Sequence, residues 1–176
     1  MTNKTLNKIG FQHVGSFLRP EQLKQARADY EAHKITAAEL DKVTDEKIKQ
    51  LVEKQVAAGL DIITDGEFRR SYWHLDNFWG FGGVERFKFG EGYRFAHEET
   101  RDDSARLTGR LTFDAEVHPF IQQFVFLKKL ADQHGVAAKI TLPAPAQFYA
   151  ELVRGDNAAR GVKYYDNYET LYDDIK

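Results

Sequence analysis

Between Thr36 and Gly59 apolar side chains return at Ile48, Leu51, Val52 and Val56 against a charged background. That three-and-four spacing is one buried stripe of a helix. Thr36-Ala37-Ala38-Glu39 ahead of it has capping-box spacing, and Gly59 is placed to end the helix. The period then changes. Asp61-Ile62-Ile63-Thr64 is β-branched and too short for a helix, which predicts a buried strand. Upstream, Phe11–Val14 predicts a strand and Gly15–Arg19 the loop leaving it. Pro20 and Glu21 suit the first turn of a helix through Leu23, Ala26, Arg27 and Tyr30. Met1 to Ile9 is polar and expected to be a loose lead-in.

Downstream, Ser71–Trp79 is dense in aromatic residues and predicts a loop or short helix, broken by Gly80, Gly82 and Gly83. Val84–Phe95 alternates loosely around Gly90 and predicts a hairpin excursion. Arg101–Ala105 is charged and expected to be exposed, and Leu107–Phe113 alternates as a strand. Pro119 opens a helix closed by His134 and Gly135, followed by a strand over Ala137–Leu142. Pro143 and Pro145 forbid regular pairing and start a helix through Phe148 and Leu152 to Gly155. The tail from Lys163 to Lys176 reads as a helix with no closing cap, an unexpected place for a protein to end.

Strands alternating with helices predict an α/β fold with a parallel sheet, about four βα units over a single domain, residues 1–176. A closed eight-stranded β/α barrel needs roughly 250 residues, so the pattern fits a small open sheet or half of a barrel. Composition narrows the chemistry. At 42% hydrophobic and 30% charged residues, with a net charge of -2, nothing points to a nucleic-acid or membrane surface. No signal-peptide core or membrane-length apolar run is visible, so a cytoplasmic protein is expected. The absence of cysteine excludes disulfides and thiolate metal sites within the 176 residues.

The candidate chemistry sits where the second strand ends, at Thr64-Asp65-Gly66-Glu67-Phe68-Arg69-Arg70. Residues just past a parallel strand's C-terminal end are where α/β enzymes place their reactive groups. Asp65 and Glu67 could orient an amine or hydroxyl, or work as an acid/base pair. The alternative is a turn of solvated carboxylates paired with Arg69 or Arg70. Gly15 and Ser16 offer N–H groups and a hydroxyl suited to a carboxylate, or form a plain turn. His13 and His74 lie near these loops in sequence. With the two carboxylates they could build a metal site, though no metal-binding spacing supports it over a structural role. No Walker A, dinucleotide or nucleophile-elbow motif is present.

His13-Val14-Gly15-Ser16-Phe17-Leu18-Arg19-Pro20, then Gly59 through Arg70 with Tyr72-Trp73-His74, resemble the cobalamin-independent methionine synthase family. The likeness is to its short single-barrel bacterial members and to the catalytic C-terminal domain of the full enzyme. Thr141-Leu142-Pro143-Ala144-Pro145 fits a later strand-loop of the same pattern. The resemblance implies a TIM-type β/α barrel that moves a methyl group from 5-methyltetrahydropteroyl-polyglutamate to homocysteine, with zinc. It implies that Gly15, Ser16 and Glu67 hold the amino-acid part of homocysteine. His13, Asp65, Arg69 and His74 are additional candidate site residues. The family's zinc ligands (His, two Cys and Glu) lie in the second half of its barrel. The chain therefore reads as the N-terminal half, with the amino-acid pocket and without the metal centre. Self-association, or a partner completing the barrel, would cover its open sheet edges. A non-catalytic amino-acid-binding fragment and a different barrel enzyme using Asp65 and Glu67 remain alternatives.

Overall fold

Thr36 caps a helix as its spacing requires. Its hydroxyl accepts from the Glu39 N–H at 3.3 Å, and the Glu39 carboxylate accepts from the Thr36 N–H at 2.7 Å. The helix, α2 (Ala37–Ala57), follows α1 (Glu21–Glu31) and precedes β1 (Ile62–Ile63). At its end Gly59, at φ +82°, donates to the Val56 carbonyl while Leu60 donates to that of Gln55. These two bonds form a Schellman closure, whose left-handed residue is cheapest as glycine. After β1 come α3 (Leu75–Phe78), β2 (Gly82–Lys88), β3 (Asp103–Thr112) and α4 (Pro119–His134). They are followed by β4 (Ala137–Ala138), α5 (Pro145–Leu152), α6 (Asn157–Gly161) and α7 (Tyr168–Ile175). The computed structural model describes residues 11–90, 92, 94, 96, 97, 100–155, 157–161 and 163–176. The expected lead-in over Met1–Ile9 and parts of the Val84–Phe95 excursion lie outside the described residues.

The chain divides into two compact units. The first runs up to Arg70 and takes in Gln123–Thr141. In it β1 pairs in parallel with β4, Ile62 opposite Ala137, and on its other side meets Gln12 in a single parallel bridge. Buried Leu23, Ile48, Leu51 and Val52 from α1 and α2 pack with Ile63 and Phe68 and with Leu127 and Ala131 of α4. The apolar stripe of α2 is thus the face that meets the sheet, as its period requires. The sheet is smaller than expected. Phe11–Val14 contributes one bridge, and Ala137–Leu142 shortens to two residues. Beyond Lys139 the pairing is taken over by side chains, because Arg70 occupies the Thr141 carbonyl at 2.7 Å.

The second unit comprises Ser71–Gln122 and Leu142–Lys176. Its sheet is the antiparallel pair β2–β3, with a register irregularity between Gly82 and Val84. Leu107–Phe113, expected to belong to the repeating β/α pattern, belongs instead to this hairpin. Leu75, Phe78, Leu107, Phe148, Leu152 and Leu171 form its core. The expectation that Arg101–Ala105 is exposed fails for its last three residues: Asp103, Ser104 and Ala105 are all buried. Their polarity is answered inside the unit. Asp103 accepts from Arg86 at 2.9 Å and from the Tyr72 hydroxyl, and Ser104 donates to Glu151 at 2.5 Å. Burial would raise the Asp103 carboxyl, but the donors Arg86, Tyr72 and Lys88 outweigh it and hold it at about 2. The Tyr72 phenol, half-buried against that carboxylate, is pushed up to about 12.

Candidate functional site

The end of β1 is fixed by a side chain that imitates a strand. Gln55, buried on α2, accepts from the Thr64 N–H at 3.0 Å and donates to its carbonyl at 2.8 Å. This double bond extends the ladder by one residue after main-chain pairing has stopped. The chain then turns tightly. The Thr64 hydroxyl accepts from Gly66 at 3.2 Å, and Asp65 Oδ1 accepts from the Glu67 N–H at 3.0 Å. Gly66 and Glu67 both have positive φ, +66° and +58°. At Gly66 the positive φ favours glycine, and an added Cβ would press on Leu51 Cδ2 at 2.4 Å and Phe17 at 3.3 Å. Glu67 has no such freedom. A left-handed glutamate costs about 1 kcal/mol and persists only where its surroundings over-determine it.

Those surroundings are visible. Arg19 donates to the carbonyls of Glu67 and Arg70 at 3.1 and 2.8 Å, and Arg27 to that of Phe68 at 2.5 Å. The Glu67 carboxylate accepts from the Thr141 hydroxyl at 2.8 Å and lies 3.4 Å from Arg70 Nη1. Arg70 Nη1 also donates to Thr141 Oγ1 at 3.2 Å, so carboxylate, guanidinium and hydroxyl form a triangle. The ambiguity left by two adjacent arginines is resolved: Arg70 turns inward to Glu67, and Arg69 turns to Asp45 and Asp41 of α2. Arg69 also stacks over Phe126 at 5.1 Å, which makes it a brace behind the loop.

Gly15 and Ser16 are brought to the same loop. The Phe17 N–H donates to the Gly66 carbonyl at 3.1 Å, tying the segment after Gln12 to the turn after β1. Gly15 adopts φ +85° with open space where a Cβ would sit, and Ser16 is exposed. His13 stacks on Phe17 at 3.8 Å, and its carbonyl accepts from Lys139 at 2.6 Å. Asp65 Oδ2 and His13 Nε2 are among the polar atoms here that are buried without a hydrogen-bond partner. Unanswered buried polar atoms are uncommon and concentrate at functional sites. His74 belongs to the second unit, buried beside Phe78. Burial there lowers its pKa, against a smaller opposing pull from Glu151. Among the described residues no group of three or more His, Asp and Glu side chains is arranged to hold a metal.

Thr141, Arg19 and Gln55 are contributors that the motifs did not single out. Thr141 stood within a quoted stretch, but nothing in its spacing joined it to Glu67, 74 residues away. Gln55 carried a faint signal, as an amide on the buried face of a stripe otherwise apolar at Leu51 and Val52. A cavity of about 400 Å³ in the same unit, lined by Phe17, Pro20, Leu51, Gln55 and Phe68, includes neither Gly15, Ser16 nor Glu67. It does not mark this site.

The arrangement is suited to holding a small polar molecule rather than to a proton relay. A buried carboxylate held by Thr141 and Arg70 lies on a loop that is tied through Phe17 to the Gly15–Ser16 turn. The sequence profile described as "Cobalamin-independent synthase, Catalytic domain" matches residues 11–78, which contain both loops. "Uncharacterized protein YxjH" of Bacillus subtilis (strain 168) is 38% identical over 163 residues, 93% of this chain and 41% of that protein. The "5-methyltetrahydropteroyltriglutamate--homocysteine methyltransferase" of Thermosynechococcus vestitus is 37% identical over 67 residues, 38% of this chain and 9% of that protein. A crystal structure of the "Putative Vitamin-B12 Independent Methionine Synthase from Listeria monocytogenes" superposes with a TM-score of 0.63 at 35% identity. It covers 93% of this chain and 48% of that one. The chain thus spans less than half the length of these relatives. Over these residues the chain is similar to the cobalamin-independent methionine synthase family.

Proposed function

We propose that this chain holds the amino-acid end of homocysteine, as the N-terminal half of a β/α barrel whose complete form is a homocysteine methyltransferase using a methylated folate. The observation that carries the reading is the Glu67 carboxylate, held at the end of β1 by Thr141 and Arg70. The Gly15–Ser16 turn is tied to the same loop through Phe17 and Gly66. A carboxylate suits an ammonium, and N–H groups with a hydroxyl suit a carboxylate. The backbone of Glu67, kept left-handed by its neighbours, fits a residue whose direction matters more than its local comfort. The parallel order Gln12, β1, β4 supports the half-barrel architecture.

Zinc, which the family implies, does not fit the residues present. The chain has no cysteine, and no group of three or more potential ligands comes together among the described residues. The roles proposed for these side chains therefore stop at binding and orienting the amino acid, and a different, complementing polypeptide would bring the zinc that activates the homocysteine thiol. No helix among the described residues is long and apolar enough to cross a membrane. A cytoplasmic setting suits the reaction proposed.

Calorimetric titration with L-homocysteine tests the reading. The chain is expected to bind it, and Glu67→Gln, which keeps the shape but removes the charge, is expected to weaken binding by about 2 kcal/mol. Equal affinity in the two proteins would refute the role of Glu67.

A further inference from the structure

We propose that Thr141, with Arg70 behind it, is a positioning residue that makes the site selective for an α-amino group; this rests on the reading of Glu67 as the ammonium receptor. Glu67 Oε1 is fully engaged, accepting the Thr141 hydroxyl at 2.8 Å and facing Arg70 Nη1 at 3.4 Å. No donor among the described residues reaches Oε2, although the side chain remains 12% exposed. One oxygen is therefore locked and the other left for a ligand. A carboxylate free to rotate would spread its acceptor directions over many ligands. One pinned at Oε1 presents Oε2 in a single direction, and less entropy is lost when an ammonium docks.

The charge arrangement sharpens this. Arg70 is 2% exposed, so it offsets the Glu67 charge with little screening. The pair is formally neutral, and an ammonium is recognised by the charge-assisted hydrogen bond that Oε2 offers in one direction. Thr141 sets that direction. It binds the carboxylate through its hydroxyl, and its carbonyl accepts from Arg70 Nη2 at 2.7 Å. It comes from the segment after β4, whereas Glu67 and Arg70 come from the loop after β1. The two strand ends are clamped together at the carboxylate.

The test compares L-homocysteine with 4-mercaptobutanoate, the same molecule without its amino group, by calorimetry on the full chain. Wild type is expected to prefer the amine. Thr141→Val keeps shape but removes the hydroxyl. It should lose about tenfold in affinity for homocysteine while leaving the des-amino affinity unchanged, and Thr141→Ser should restore the preference. Thermal melts accompany each variant, and Thr141→Ala carries the comparison if the valine protein is unfolded at the assay temperature. Equal losses for both ligands would mean a merely structural role and overturn the proposal. If Glu67→Gln loses the preference while Thr141→Val keeps it, the positioning role fails and the pocket reading stands. If neither substitution changes the preference, or wild type binds neither compound, the pocket reading fails and this proposal with it.

Discussion

Two buried histidines give the molecule a pH dependence that single residues explain. Burial lowers the pKa of His118, against its hydrogen bond with the Asn77 carbonyl at 3.2 Å, and burial lowers that of His74 as well. A histidine depressed in the folded state takes up its proton first in the unfolded chain, whose imidazoles titrate near 6.5. Stability is therefore complete above that value and falls as pH drops from 6.5 toward the lowered folded values. The slope cannot exceed about 1.4 kcal/mol per pH unit for each histidine. Asp103, held at about 2, contributes its own loss only below the unfolded carboxylate range near 4. Urea melts at pH 7.5, 6.5 and 5.5 should show the decline setting in below 6.5, and His118→Asn should make it shallower. A profile flat to pH 5 would contradict this. At this scale the sequence exposed the residue types and not their partners. Asp65-Gly66-Glu67 stands out because a glycine between two carboxylates is a turn at a strand end. Nothing in adjacent Arg69 and Arg70 says which turns inward, since that depends on the left-handed backbone of Glu67.

At the scale of elements, local rules were legible wherever one short segment carries both halves of an interaction. The Thr36–Glu39 box and the glycine closing α2 are such cases. Thr36→Ala should cost about 1 kcal/mol, measured by urea denaturation, while Thr36→Ser should be nearly neutral. A loss below about 0.3 kcal/mol would mean that packing of α2 alone sets its start. Extents were less legible where partners come from far along the chain. β4 stops after Ala138 because Arg70 and Lys139 spend its neighbours' hydrogen bonds on side-chain contacts. Asp103–Ala105 looked like a solvated run because charge counts do not reveal Arg86, Tyr72 and Glu151 waiting opposite.

For the whole molecule, the α/β class was legible in the alternating periods. One of the expected strands, however, turned out to pair antiparallel in a hairpin. The parallel set runs Gln12, β1, β4, with Gln12 and β4 each paired on one side among the described residues. Phe11, Val14 and Leu18, around Gln12, are 87%, 74% and 97% exposed. The proposed division of labour follows: an amino-acid pocket in this half, methyl-transfer chemistry in the other. Methionine formation from homocysteine and methylated folate, followed with the purified chain in added zinc alongside a metal count, tests that division most directly. The expected result is no methionine and no stoichiometric zinc from a chain that still binds homocysteine. Sustained turnover with one zinc per chain would contradict it, and His13, Asp65, Glu67 and His74 would then be the first residues to examine as ligands.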